Sequence, residues 1–94
     1  MKVVVMYDIS SDRARESLAN HLQRLGLTRV QRSVFVGRGN HQLVKDIERV
    51  AHYYVRPDRD VVHIVLVDDG YWRRSKVIGT PYFARRSSGV SLVV

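Results

Sequence analysis

An α+β sandwich, with helices on one face of an antiparallel sheet, is the fold class this sequence predicts. Three observations carry the prediction. Two nearly continuous apolar, β-rich runs, at 2–7 and 61–67, read as buried strands. Two stretches between them place apolar residues at helical spacing. All of this fits within 94 residues, the size of one domain.

The first run, KVVVMY, is a central strand ending at Asp8. Ser10, Ser11 and Asp12 are all suitable helix caps. Ala14, Leu18, Leu22 and Leu25 then form one helical stripe, and Gly26 stands where helices commonly end. Residues 29–37, RVQRSVFVG, read as strand. Val30, Val34 and Val36 share one parity while Gln31, Ser33 and Phe35 share the other, so neither face is purely apolar. A bend or split near Arg32–Ser33 suits that pattern, although no turn residue there requires one. Gly37 and Gly39 make a loop, and Asn40 caps a second helix with the stripe Leu43, Ile47, Val50, Ala51 and Tyr54. Pro57 and its charged neighbours close it. The run VVHIVLV at 61–67 is a second buried-type strand. Asp69-Gly70 signals a two-residue hairpin, which makes 71–78 a returning strand. Gly79, Thr80 and Pro81 break the pattern. A basic RRSSG link leads to VSLVV at 90–94, an apolar run that needs a partner. This order matches a ferredoxin-like split βαβ sandwich with an extra C-terminal strand. Residues 1–79 form the domain, and 80–94 form a tail for dimer or partner docking.

Sixteen Lys and Arg against nine Asp and Glu give a net charge of +7. Only Lys2, Lys45 and Lys76 are lysines, and arginine's planar fork suits phosphate. After Asp69 no acidic residue follows, yet Arg73, Arg74, Lys76, Arg85 and Arg86 do. A polyanion partner is the natural inference, with nucleic acid the commonest. The absence of cysteine excludes disulfides and thiolate metal sites. Asp8 interrupts the first apolar run too early for a signal-peptide core, and no run approaches membrane-spanning length. A cytoplasmic protein without membrane association is expected.

Asp8 is the most informative residue, since it ends a buried strand just before a helix. A carboxylate there can hold Mg²⁺ or Mn²⁺, which take oxygen ligands and retain water. The alternative is that Asp8 bonds the free amides of the helix that follows. One aspartate is too few for a metal site, but a two-fold axis beside the strand end would supply a second. Arg13 and Arg15 lie in the first turns of that helix, where cations oppose the helix dipole, so they are not expected to serve the helix alone. Arg29, Arg32 and Arg38 flank the second strand region and could line a phosphate track, or simply face solvent. Tyr7 and Phe35 could stack on bases, although a lone strand aromatic more commonly packs in a core. His21, His41, His52 and His63 show no metal-ligand spacing, and no Walker, zinc, Rossmann or nucleophile-elbow motif is present.

Taken together, VVVMYDIS, a helix bearing Arg15, and GLTRVQRSVFVG resemble the CRISPR-associated Cas2 family. The ordered matches are Tyr7-Asp8, Arg15, Gly26-Leu27, Arg29, Val30-Gln31, Ser33-Val34-Phe35 and Gly37, with Val77-Ile78-Gly79 further on. The pattern departs at Arg32, where an aromatic is frequent, and at Ser17, where some members carry a second arginine. The resemblance implies a ferredoxin-like homodimer whose C-terminal strands pair with the partner's sheet. It implies that the two Asp8 carboxylates face each other near the two-fold axis, with Tyr7, Ser33 and Phe35 in support. It further implies bridging of the Cas1 integrase during spacer acquisition, and metal-dependent cleavage of single-stranded RNA or double-stranded DNA. A stand-alone, toxin-like endoribonuclease is the alternative function.

Overall fold

The structure, a computed structural model, describes residues 1–83. Its elements are β1 (Lys2–Asp8), α1 (Asp12–Arg24), β2 (Thr28–Gln31), β3 (Val34–Arg38), α2 (His41–Tyr54), β4 (Val61–Val67) and a short α3 (Asp69–Arg73). One four-stranded sheet has the order β2-β3-β1-β4, and every neighbouring pair is antiparallel. This is the ferredoxin-like α+β fold.

Side-chain parity sorts the sheet into two faces. On one face Val3, Val5, Tyr7 and Phe35 are buried with Leu18 and Leu22 of α1 and Ile47 of α2. Fully burying each such side chain contributes about 1.5–3 kcal/mol, so this layer fixes where β1 lies. Both helices begin on their expected caps. Ser11 accepts from the Ala14 amide at 3.2 Å, and Asn40 accepts from the Gln42 amide at 2.9 Å. Gly26 follows α1 with φ of 95°, a left-handed conformation that costs a residue bearing a Cβ.

The opposite face is open. Val4 pairs with Val36 and Val65, Met6 with Val34 and His63, and Asp8 with Val61. Directly paired residues share a face, so these side chains form one patch with Asp8 at its end. Val36 is covered, but Met6, Val61 and Val65 remain 38%, 44% and 41% exposed.

One expectation is met and one is corrected. Residues 29–37 do split, with a turn at Arg32–Ser33 and an irregularity between Arg29 and Gln31. The halves form a hairpin in which Arg29 lies opposite Phe35 and Thr28 opposite Val36, which accommodates the mixed parity. Residues 71–78 are not a returning strand. Asp68 is extended, its carboxylate accepts from the Gly70 amide at 2.8 Å, and the Trp72 amide donates to the Asp68 carbonyl at 2.9 Å. Aspartate followed by Asp-Gly caps a helix as readily as it turns a hairpin, and here the cap prevails. The chain then passes from the β4 edge to the β2 edge, where Tyr82 meets Arg29. The apolar run at 90–94 lies outside the described residues, as do Arg85 and Arg86. Among the described residues, no helix is long and apolar enough to cross a membrane.

Candidate functional site at the end of β1

Asp8 stands on a rigid frame. Tyr7 before it and Ile9 after it are 6% and 2% exposed. The Tyr7 amide donates to the Ser33 carbonyl at 3.1 Å, which ties β1 to the turn after β2. On the other side Asp8 is in register with Val61 of β4. The carboxylate itself is exposed and makes no hydrogen bond or ion pair among the described residues. It does not cap α1, because Ser11 does. The helix-capping alternative for Asp8 is therefore removed.

Asp60, which sequence reasoning missed, holds the next residues in place. One of its oxygens accepts from both the amide and the hydroxyl of Ser10, each at 2.9 Å, and the other accepts from the Arg56 amide at 3.0 Å. The bonds from Ser10 and Arg56 hold its carboxyl below the ordinary aspartate range, against a small opposing effect of burial. Its contribution to stability is complete above the ordinary aspartate range and is lost as pH falls through the lowered folded value. Replacing Asp60 with Ala should lower the Tm at neutral pH by a few degrees. In thermal melts that deficit should shrink in acid, where wild type loses the same bonds. Equal Tm values at neutral pH would contradict this role. Its bond to the Arg56 amide is local, but the contact that ties it to the strand end is with Ser10, 50 positions away, and nothing near Asp60 in the sequence marks that contact.

The candidate arginines divide into two groups. Arg15 is engaged locally, donating to the Ile9 carbonyl at 3.0 Å and pairing with Asp12. These bonds fasten the β1–α1 turn, so Arg15 has a local structural task. Arg29 is half-buried, its guanidinium 5.1 Å from the Phe35 ring centre and 5.0 Å from that of Tyr82, with Nη1 donating to the Tyr82 hydroxyl at 3.3 Å. Burial lowers its pKa, but the Tyr7 and Tyr82 hydroxyls outweigh that effect and raise it, so Arg29 is a permanent cation. The Tyr7 hydroxyl stands near this guanidinium but outside hydrogen-bonding geometry, and Arg29 Nε is likewise buried without a partner of good geometry. Tyr7 and Phe35 stack on each other with ring centres 6.2 Å apart, inside the core rather than available to bases. The half-buried Ser33 acts through its carbonyl. Arg13, Arg32, Arg73 and Arg74 are exposed, Arg74 lying over Tyr71 at 5.9 Å.

Comparison with known proteins fits this arrangement. The family model described as CRISPR associated protein Cas2 matches residues 1–75. The chain is 42% identical over 88 residues to "CRISPR-associated endoribonuclease Cas2 2" of Pyrobaculum aerophilum, covering 93% of this chain and 96% of that protein. It is 46% identical over 52 residues to a "CRISPR-associated endonuclease Cas1/endonuclease Cas2 fusion" of Thermoproteus tenax, covering 54% of this chain and 20% of the fusion. Among solved structures, hypothetical protein TT1823 from Thermus thermophilus superimposes with a TM-score of 0.74 at 32% identity, covering 85% of this chain and 92% of that one. The strand-end aspartate, the ferredoxin-like frame and these relationships agree, and the chain belongs to the CRISPR-associated Cas2 family.

Proposed function

We propose that this chain acts as a two-fold homodimer that holds nucleic acid and bridges Cas1 in spacer acquisition, with the paired Asp8 carboxylates supporting Mg²⁺- or Mn²⁺-dependent phosphodiester cleavage. One observation carries the reading. Asp8 is an exposed carboxylate with no structural task, held rigidly at the end of an apolar sheet face. A second copy laid on that face about a two-fold axis beside the strand end would cover Met6, Val61 and Val65 and bring a second Asp8 to the first.

The donor chemistry suits such an ion. Among the described residues, no three potential ligands gather within one protomer, and on this reading the second carboxylate comes from the second copy. Carboxylate oxygens with remaining waters are what Mg²⁺ and Mn²⁺ accept. When bound, the ion supplies an activated water and offsets charge on the phosphate. The protein's own share is positioning: the Ser33 and Asp60 contacts hold the strand end, and exposed Arg13, Arg32, Arg73 and Arg74 meet phosphates. Arg85 and Arg86, which lie outside the described residues, are further candidates for phosphate contact by their charge. Arg15 and Arg29 act by shaping the site.

The sheet edges suggest where the tail docks. β2 is four residues long and irregular, whereas β4 is seven residues long with no strand beside its outer edge among the described residues. On this reading 80–94 is the tail for dimer or partner docking, and the partner's β4 edge is open to it. A relative that joins Cas1 and Cas2 in one chain supports Cas1 as partner, and disfavours a stand-alone toxin-like enzyme. A relative named as an endoribonuclease supports RNA among the substrates, beside DNA.

The test is a salt titration of duplex binding with and without Cas1 from the same organism. Affinity for an arbitrary duplex should fall by about a hundredfold or more between about 50 mM and about 200 mM salt, as counterion release requires. Cas1 should join the dimer in one complex by sedimentation. Affinity independent of salt, or no association with Cas1, would overturn the proposal.

A further inference from the structure

A cleft of about 560 Å³ opens between the start of α1 and the end of α2, away from the open sheet face. Arg13 and Ser17 line one wall, Tyr53 and Arg56 the other, and Asp60 lies at its border. The side chains of Arg13 and Arg56 are exposed and make no ion pair or hydrogen bond among the described residues. The one carboxylate lining the cleft, Asp60, has both oxygens hydrogen-bonded, one to Ser10 and the other to the Arg56 amide. Two guanidinium groups, neither in an ion pair among the described residues, therefore face solvent across the gap.

Tyr53 is the second observation. It is 83% exposed, unusual for a large aromatic. Tyr54 meets it edge to face, with ring centres 5.0 Å apart at 85°, which steadies the ring and leaves its surface open. Tyr54 is in turn held against His21 on α1. A braced, solvent-facing ring in one cleft with two free arginines combines the components of a single-strand site: cations for the backbone and a flat surface for a base. A duplex, whose bases are already stacked, would use the cations and leave the ring idle.

We infer that the Arg13–Tyr53–Arg56 cleft binds an unpaired stretch of nucleic acid, with Tyr53 stacked on a base and the two arginines on flanking phosphates. The inference rests on the nucleic-acid role proposed above and gives it a direction. Asp60 bonds Ser10, only two residues from Asp8, and two residues span at most about 7 Å. A strand held in the cleft thus lies beside the turn that carries Asp8, and the same frame serves both.

The experiment compares the full chain with Tyr53→Leu, Tyr53→Phe, Arg13→Gln and Arg56→Gln by fluorescence anisotropy. Two probes are used, a blunt duplex and the same duplex with a single-stranded extension, with melting curves to confirm folding. Wild type should prefer the extended probe. Tyr53→Leu should weaken binding to that probe by about tenfold or more, the range for losing one stacked base, and leave the blunt duplex unaffected. Tyr53→Phe should bind as wild type does. Each arginine variant should reduce the salt slope on the extended probe by about one contact. Tyr53→Leu binding the extended probe as tightly as wild type would overturn the inference, and so would equal weakening on both probes. If wild type bound neither probe in a salt-dependent way, the nucleic-acid role itself would fall, a different result from a silent Tyr53.

Discussion

Replacing Asp8 with Asn should lower metal-dependent phosphodiester cleavage by about a hundredfold or more while leaving fold, dimer and nucleic-acid binding intact. The change removes the negative charge and keeps the size. Because the carboxylate is exposed and unbonded among the described residues, its loss disturbs no internal contact. Surface changes of that kind usually alter stability by less than about 0.5 kcal/mol. In a two-fold dimer one substitution removes both carboxylates, so the loss is larger than for a single ligand. Binding persists because exposed Arg13, Arg32, Arg73 and Arg74 remain. Cleavage by wild type and variant, purified in parallel and assayed with Mg²⁺ or Mn²⁺, decides the matter. A variant that cleaves at the wild-type rate would show that the chemistry lies elsewhere.

Much of this frame was legible in the sequence because the information is local. The apolar run before Asp8, the stripe Leu18–Leu22 and the cap Ser11 all depend on neighbours within a turn or two of chain. The position of Asp8 at a strand end follows from them. What escaped depends on partners far along the chain. Asp60 does its work on Ser10, and Arg29 is held by Tyr82, 53 positions away. Nothing near Arg29 distinguishes a phosphate-seeking cation from one sandwiched between rings. Asp69-Gly70 misled for a different reason, since the same residues satisfy a hairpin turn and a helix start, and only the Asp68 side chain settles which forms. The Tyr53 cleft was invisible because α1 and α2 supply one wall each.

Those long-range contacts also bear on cleavage. Asp60 and Ser33 fix the strand end from opposite sides, through Ser10 and Tyr7. Catalytic groups tolerate little displacement, and a misplacement of about 1 Å can cost on the order of a hundredfold in rate. The family frame therefore supplies more than a place for Asp8. It restrains the backbone on both sides of a side chain that is itself unrestrained.

Val65→Glu should dissociate the proposed dimer. Val65 lies opposite Val4 on the open face and is 41% exposed, so within one chain a glutamate there reaches water and the fold should persist. Between two copies the same glutamate is removed from water without a partner, and symmetry introduces it twice. Burying one uncompensated charge costs about 3–5 kcal/mol, which raises the dimer Kd by at least about a hundredfold. Sedimentation should then report a monomer at micromolar concentration where wild type is a dimer, while circular dichroism reports unchanged secondary structure. Cleavage should fall with dissociation even though Asp8 is untouched, because a lone chain offers one carboxylate. It should recover as protein concentration rises and copies are forced together, which a direct catalytic defect would not allow. A Val65→Glu chain that remained a dimer at wild-type strength would place the interface elsewhere, and the pairing of the two Asp8 carboxylates would lose its structural basis.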